Sequence, residues 1–275
     1  MKQRPSFPAK LDDTLARNRP NTVGKVVTAT SKPVAHIAPA AAAVHTRPVA
    51  VAVVPKGHGM ESSAVRTRMV QKLAAQGISD PQVLHAMGAI ERHRFVDSAL
   101  INQAYEDTSL PIGLGQTISK PGVVSRMLEL MRNGQTGQLG RVLEIGTGCG
   151  YQAAVLSLLA TEVYSIERLR GLHDKARDNL RHLRLANLHL LFGDGMEGYA
   201  KGAPYAAIIA AAGGEAVPQA WVDQLAVGGR LVAPVVTVGA TGGAQALLVL
   251  DKTPNGVRQA ILEAVHFVPL KSGVA

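Results

Sequence analysis

The sequence predicts an α/β fold: a doubly wound, mostly parallel sheet, preceded by a pair of helices and a disordered N-terminal extension. Three observations predict it. From Arg141 onward, short apolar runs alternate with segments of helical periodicity, the succession that places parallel strands in one layer with helices on its faces. Acidic and glycine residues recur at the ends of those runs, at Glu144/Gly146, Glu167 and Asp194, and ligands of such sheets bind beyond the carboxyl ends of the strands. The charge is unevenly spread. Of the formal +9, residues 1–60 hold nine Lys/Arg against Asp12 and Asp13, so the remaining 215 of 275 residues are close to neutral.

The extension comes first. Prolines at 5, 8, 20, 33, 39, 48 and 55, the run Ala40–Ala43 and the single aromatic Phe7 cannot bury enough apolar area to offset the entropy of ordering, so residues 1–60 are read as disordered. A secretory signal needs an apolar segment soon after a basic start, and the first twenty residues are polar. Prolines oppose the amphipathic helix of an organelle transit peptide. Charge alone would allow weak, nonspecific contact with nucleic acid or an anionic membrane.

Order is expected from about Glu61, giving a domain over 61–275. Val65, Met69 and Leu73 share a helical face, and Gly77 stands where that helix ends. Asp80-Pro81 reads as an N-cap followed by proline at the first helical position. Val83, Leu84, Met87 and Ile90 form the buried stripe of that second helix. Strands follow at 141–145, 162–167, 188–192, 206–210 and 230–235, with helices at about 153–159 and 169–183. No apolar run approaches the eighteen or so residues of a membrane span. One cysteine, Cys149, excludes an intrachain disulfide or a cysteine-built zinc site, and the nine scattered histidines lack metal-ligand spacing. No metal is expected.

The glycine cluster Gly146-x-Gly148-x-Gly150 closes the first strand. Tyr151 occupies the third glycine position of a dinucleotide fingerprint, and no Lys-Ser/Thr follows as in a P-loop. A glycine turn lets backbone approach a ligand closely. With Glu144 before it, the loop suits a ligand carrying an amino acid and a nucleoside but no phosphate, such as S-adenosyl-L-methionine. A plain tight turn is the simpler reading of the loop alone. Glu167, seventeen residues after Gly150, stands where a carboxylate accepts from ribose hydroxyls, and Asp194-Gly195 stands where the adenine edge is expected. Three aligned strand ends favour the methyltransferase fold.

The acceptor is suggested by a resemblance. The stretch from Leu110 to Pro121, with Gly115-Gln116-Thr117-Ile118-Ser119 at its centre, resembles the signature loop of protein-L-isoaspartate O-methyltransferases. Val142–Gln152, Tyr164–Arg168, Gly193–Gly195, Gly228–Val232 and Val265–Leu270 are similar to that family's segments, the last to its closing strand. The likeness covers roughly residues 62–270. It implies methylation of the free carboxylate of L-isoaspartyl residues in aged proteins, whose ester returns to a succinimide and allows repair. It implies Ser119 as the active-site residue. It also implies cofactor contacts at Gln116, Thr117, Ile118, Glu144, Ile145, Gly146, Thr147, Gly148, Glu167, Arg168, Asp194, Gly195 and Gln245. Met196 replaces a frequent aromatic, and Ala211–Gly214 a frequent Thr-Ala-Ala-Pro.

Chemically, a carboxylate is already nucleophilic and a sulfonium methyl already activated, so positioning and water exclusion suffice. Ser119 is expected either to hold the acceptor carboxylate, together with free N–H groups of the helix starting at Pro121, or merely to cap that helix. Isoaspartyl proteins are the expected partners of a cytoplasmic monomer, with no specific nucleic acid and no membrane. Ala211–Gly214 lacks the Asn/Asp-Pro-Pro-aromatic motif of DNA N-methyltransferases. A small-molecule methyltransferase and a noncatalytic cofactor-binding protein are the rival readings, and an NAD enzyme is disfavoured by Tyr151.

Overall fold

In the computed structural model, the residues described are 63–237 and 244–275. The expectation of disorder over 1–60 therefore lies outside them. The chain begins with α1 (Ser63–Ala75) and α2 (Pro81–Ala89). Met69 and Leu73 of the first are buried, as are Val83, Ala86 and Met87 of the second. Asp80 caps α2 as its sequence position requires: its Oδ1 accepts from the Gln82 and Val83 N–H groups at 2.9 and 3.3 Å, and Pro81 opens the helix. Gly77, at φ +103°, provides the left-handed turn between the two.

A short hairpin follows, β1 (Leu110–Gly113) with β2 (Gln116–Ile118), and then α3 (Pro121–Arg132). The core alternates β3 (Leu139–Ile145), α4 (Tyr151–Ser157), β4 (Ala160–Glu167), α5 (Arg170–Leu180), β5 (Leu188–Phe192), β6 (Tyr205–Ala210), α6 (Gln219–Gln224) and β7 (Leu225–Val236). These five strands pair in parallel in the order β5-β4-β3-β6-β7. The crossover between β3 and β6 makes the switch point, and the glycine loop leaves β3 there.

Four strands were not foreseen: β1 and β2 of the hairpin, and the two that follow β7. β8 (Gln245–Thr253) and β9 (Gly256–Val265) extend the sheet antiparallel beyond β7. Val265–Leu270 is therefore not a closing strand. Its first residue ends β9, and His266–Leu270 returns across the top of the sheet, tied by Gly213 N–H to Val268 O at 2.9 Å and Leu270 N–H to Gly213 O at 2.8 Å. Gln245, which the resemblance implies as a cofactor contact, opens β8.

Alternation along the strands divides the core into two layers. Val142, Ala207, Ile209 and Val232 face the side covered by α3, α4 and α5, on which α1 and α2 also rest. Leu143, Ile145, Ile208 and Leu231 face the side covered by Trp221 of α6 and by Tyr205. Helices thus lie on both faces, unequally.

Candidate active site

A cavity of about 270 Å³ opens at the carboxyl ends of β3 and β4, near the lower end of the ~300–1,000 Å³ usual for small-ligand sites. Its floor is the glycine loop. Gly146, Gly148 and Gly150 all have positive φ (+90°, +57° and +90°), a region that costs an L side chain about 1–2 kcal/mol. A Cβ on Gly150 would also meet Leu180 Cδ1 at 2.7 Å, so this glycine lets α4 start tight against α5.

The structure brings Gln116, Thr117, Ile118, Ser119, Ile145, Gly146, Thr147, Gly148, Glu167, Arg168 and Gly195 to the wall of this one cavity. Glu167 Oε2 accepts from Gly148 N–H and its Oε1 from Leu169 N–H, both at 2.9 Å. A carboxylate has about four acceptor positions, so two remain for ligand hydroxyls. The hairpin supplies the opposite wall. Lys175 of α5 donates to Ile112 O at 2.8 Å, and Asn179, one turn on, donates to Cys149 O at 3.0 Å. One helix face thus braces both the hairpin and the glycine loop.

Three expected contacts lie off the wall. Glu144 is wholly buried on β3, pointing away from Leu143 and Ile145 and under the loop. Ser165 Oγ donates to its Oε2 and lies 2.6 Å from Thr147 Oγ1. Burial raises its pKa to about 8; Ser165 and Gln152 oppose the rise, while the Glu167 charge adds to it. Gln152 is thus close enough to favour the ionised form, yet its Nε2 and Glu144 Oε1 make no bond of hydrogen-bond geometry among the described residues. Asp194 accepts from Met196 N–H at 2.8 Å and from Gly273 N–H, which ties down the segment after β9. Gln245 holds that segment too, accepting from Phe267 N–H at 2.8 Å and donating to Phe267 O at 3.3 Å. Asp194 and Gln245 thus fasten the returning chain, whose residues Val268–Lys271 line the cavity.

Ser119 does not cap α3. The N-cap is Lys120, without a side-chain cap bond. Nor is the helix start free for an anion. Gly122 N–H donates to Asp107 Oδ1 at 2.6 Å, and the Val123 and Val124 N–H groups donate to Lys120 O. Ser119 thus makes no cap bond and lines the cavity. Sequence reasoning missed Leu114, Gln152, Leu172 and Lys271 on the wall. Ala211 and Ala212 line it as well, in the loop that departs from the family pattern.

The sequence model of the protein-L-isoaspartate (D-aspartate) O-methyltransferase family matches residues 64–275. The chain belongs to that family. Its relatives include the protein-L-isoaspartate O-methyltransferases of Leptothrix cholodnii, 59% identical over 232 residues (84% of this chain, 81% of the relative), and of Methylibium petroleiphilum, 60% identical over 221 residues (80% and 81%). Among solved structures, a protein-L-isoaspartate O-methyltransferase 28% identical matches with a TM-score of 0.68, covering 76% of this chain and 67% of its own. A Plasmodium falciparum chain assigned to the same enzyme class and solved with S-adenosyl-L-homocysteine is 23% identical, with a TM-score of 0.65 over 75% of this chain and 98% of its own. The family's fold therefore extends over the described sheet and its hairpin.

Proposed function

We infer that this chain is a protein-L-isoaspartate O-methyltransferase, using S-adenosyl-L-methionine to methylate the free carboxylate of L-isoaspartyl residues and so initiate their repair. One observation carries the reading: the hairpin leading to Ser119 forms the wall facing the glycine loop, so a methyl donor seated on that loop meets an acceptor entering past Ser119. The cavity suits the donor, with close backbone at Gly146 and Gly148, a carboxylate at Glu167 for hydroxyls and an apolar surround from Ile112, Ile118, Leu172 and Leu270. When bound, the donor supplies a sulfonium methyl already activated for displacement by a carboxylate oxygen.

The residues here position and shield. Ser119 Oγ, at the rim, donates to one oxygen of the acceptor carboxylate and leaves the other in line with the methyl carbon. The new O–C bond forms as the S–C bond breaks, and its electron pair stays on sulfur. No proton moves, so the step calls for positioning and not for a general base. Gln116, Thr117 and Ile118 hold the donor from the hairpin side; Ile145, Thr147, Arg168 and Gly195 complete its pocket. Leu114 and the returning segment exclude water.

Residues 61–275 are read as the catalytic domain and 1–60 as an appended basic extension; the family match beginning at residue 64 supports this. Among the described residues no helix is long and apolar enough to cross a membrane. A cytoplasmic site of action on damaged proteins is consistent with that.

The experiment is transfer from labelled S-adenosyl-L-methionine to paired peptides that differ only in L-isoaspartate against L-aspartate. Labelling confined to the isoaspartyl peptide is expected. Equal labelling of both, or of neither while the donor binds, would overturn the reading.

A further inference from the structure

Beside the donor cavity lies a second one of about 410 Å³, and Ser119 is the residue common to both walls. It runs between the start of α3 and the end of β9, over Val123, Val265 and Phe267. Lys120 and His266 stand exposed on opposite sides of it, and no carboxylate lies on its wall. The neighbouring acids are already engaged: Glu263 pairs with Arg126 at 2.7 Å, and Asp107 accepts from Gly122 N–H. β9 is the last strand of the sheet, with nothing paired to its outer side among the described residues. Such an edge can receive an extended chain.

An isoaspartyl acceptor is a polypeptide, so chain must leave the reacting carboxylate in both directions. A groove that touches the donor site only at Ser119 is where the flanking residues go. We propose that Lys120 and His266 make this groove select acceptor chains carrying an acidic side chain next to the isoaspartyl residue, and disfavour basic ones. The inference rests on the functional reading above and adds the sequence preference of the acceptor. The selectivity is electrostatic and solvent-exposed, which sets it at about three- to fivefold in kcat/KM per charge pair and makes it fall as salt is raised.

The test uses the full chain and isoaspartyl peptides with Glu, Gln or Lys on either side of the damaged residue. The wild-type protein is expected to rank Glu above Gln above Lys at one of the flanks, with the spread narrowing between 20 and 300 mM salt. Lys120→Glu is expected to invert the ranking and His266→Gln to shrink it. Inversion raises one rate while lowering another, which impaired folding cannot do. Equal kcat/KM for Glu and Lys peptides in the wild type, or a ranking untouched by Lys120→Glu, would overturn the selectivity while leaving the methyl transfer standing. Absence of labelling on every isoaspartyl peptide would overturn the functional reading, and this inference with it.

Discussion

Glu144 shows how a strand-end acid can lie off the cavity wall it seems placed for. The residue sits two positions before the first glycine, but alternation sends its side chain to the face opposite Leu143 and Ile145, under the loop. Its pKa of about 8 means that the folded protein retains a proton the unfolded chain loses above about 4.5. Stability therefore declines as pH climbs from about 4.5 to about 8 and is flat beyond. Glu144→Gln removes the titration. Its urea midpoint should match the wild type near pH 4.5 and exceed it at pH 8, and equal midpoints at both would show that burial does not hold the proton there. Ser119→Ala tests the other decisive residue. Loss of a hydrogen bond to a carboxylate is worth about 1.5–3 kcal/mol, so kcat/KM for the isoaspartyl peptide should fall roughly 10- to 100-fold while donor affinity stays put, as measured by calorimetry beside the kinetics.

At the scale of elements, α5 braces the candidate site from outside the sheet. Lys175 holds the hairpin and Asn179 the glycine loop, so the two cavity walls share one support. Lys175→Met removes a single bond, worth about 1 kcal/mol. It should raise KM for the donor about fivefold, with kcat changed less and the thermal midpoint within a few degrees; an unaltered KM would show the hairpin stands without it. The elements themselves were unequally legible. The five parallel strands announce themselves as apolar runs because both faces are covered. β9 is mostly exposed, so Val257–Val265 carries no such run, and its only signal was the turn chemistry of Pro254-Asn255-Gly256. The site was legible where backbone decides, in the glycine loop and the hairpin. It was not legible at Gln245 or Asp194, whose side chains are spent on residues 22 and 79 positions away.

The whole molecule is fastened across its layers by a few buried polar contacts. Arg132 at the end of α3 is 1% exposed, pairs with Asp80 at 2.7 Å and donates to the carbonyls of Gln135 and Gly137. Asp80 is at the same time the cap of α2, so one carboxylate links the first helices to the sheet-covering layer. Removing one partner of a buried pair leaves the other uncompensated, at about 3–5 kcal/mol. Arg132→Met should lower the unfolding free energy by that order in urea titrations, and pairing it with Asp80→Asn should restore part of the loss. A loss below about 1 kcal/mol would reduce the contact to a surface pair. The cavity proposed for the donor likewise draws on stretches far apart in the chain: residues 112–119 supply one wall, and the segment from Val268 to Lys271 another. On the ribosome these arrive far apart in time. At roughly 5–20 residues per second, the last wall leaves the peptidyl-transferase centre several seconds after Ala212, and later still clears the exit tunnel. A nascent chain can therefore lay down the parallel strands before this wall exists, and methyl transfer is expected only once that last stretch has been made.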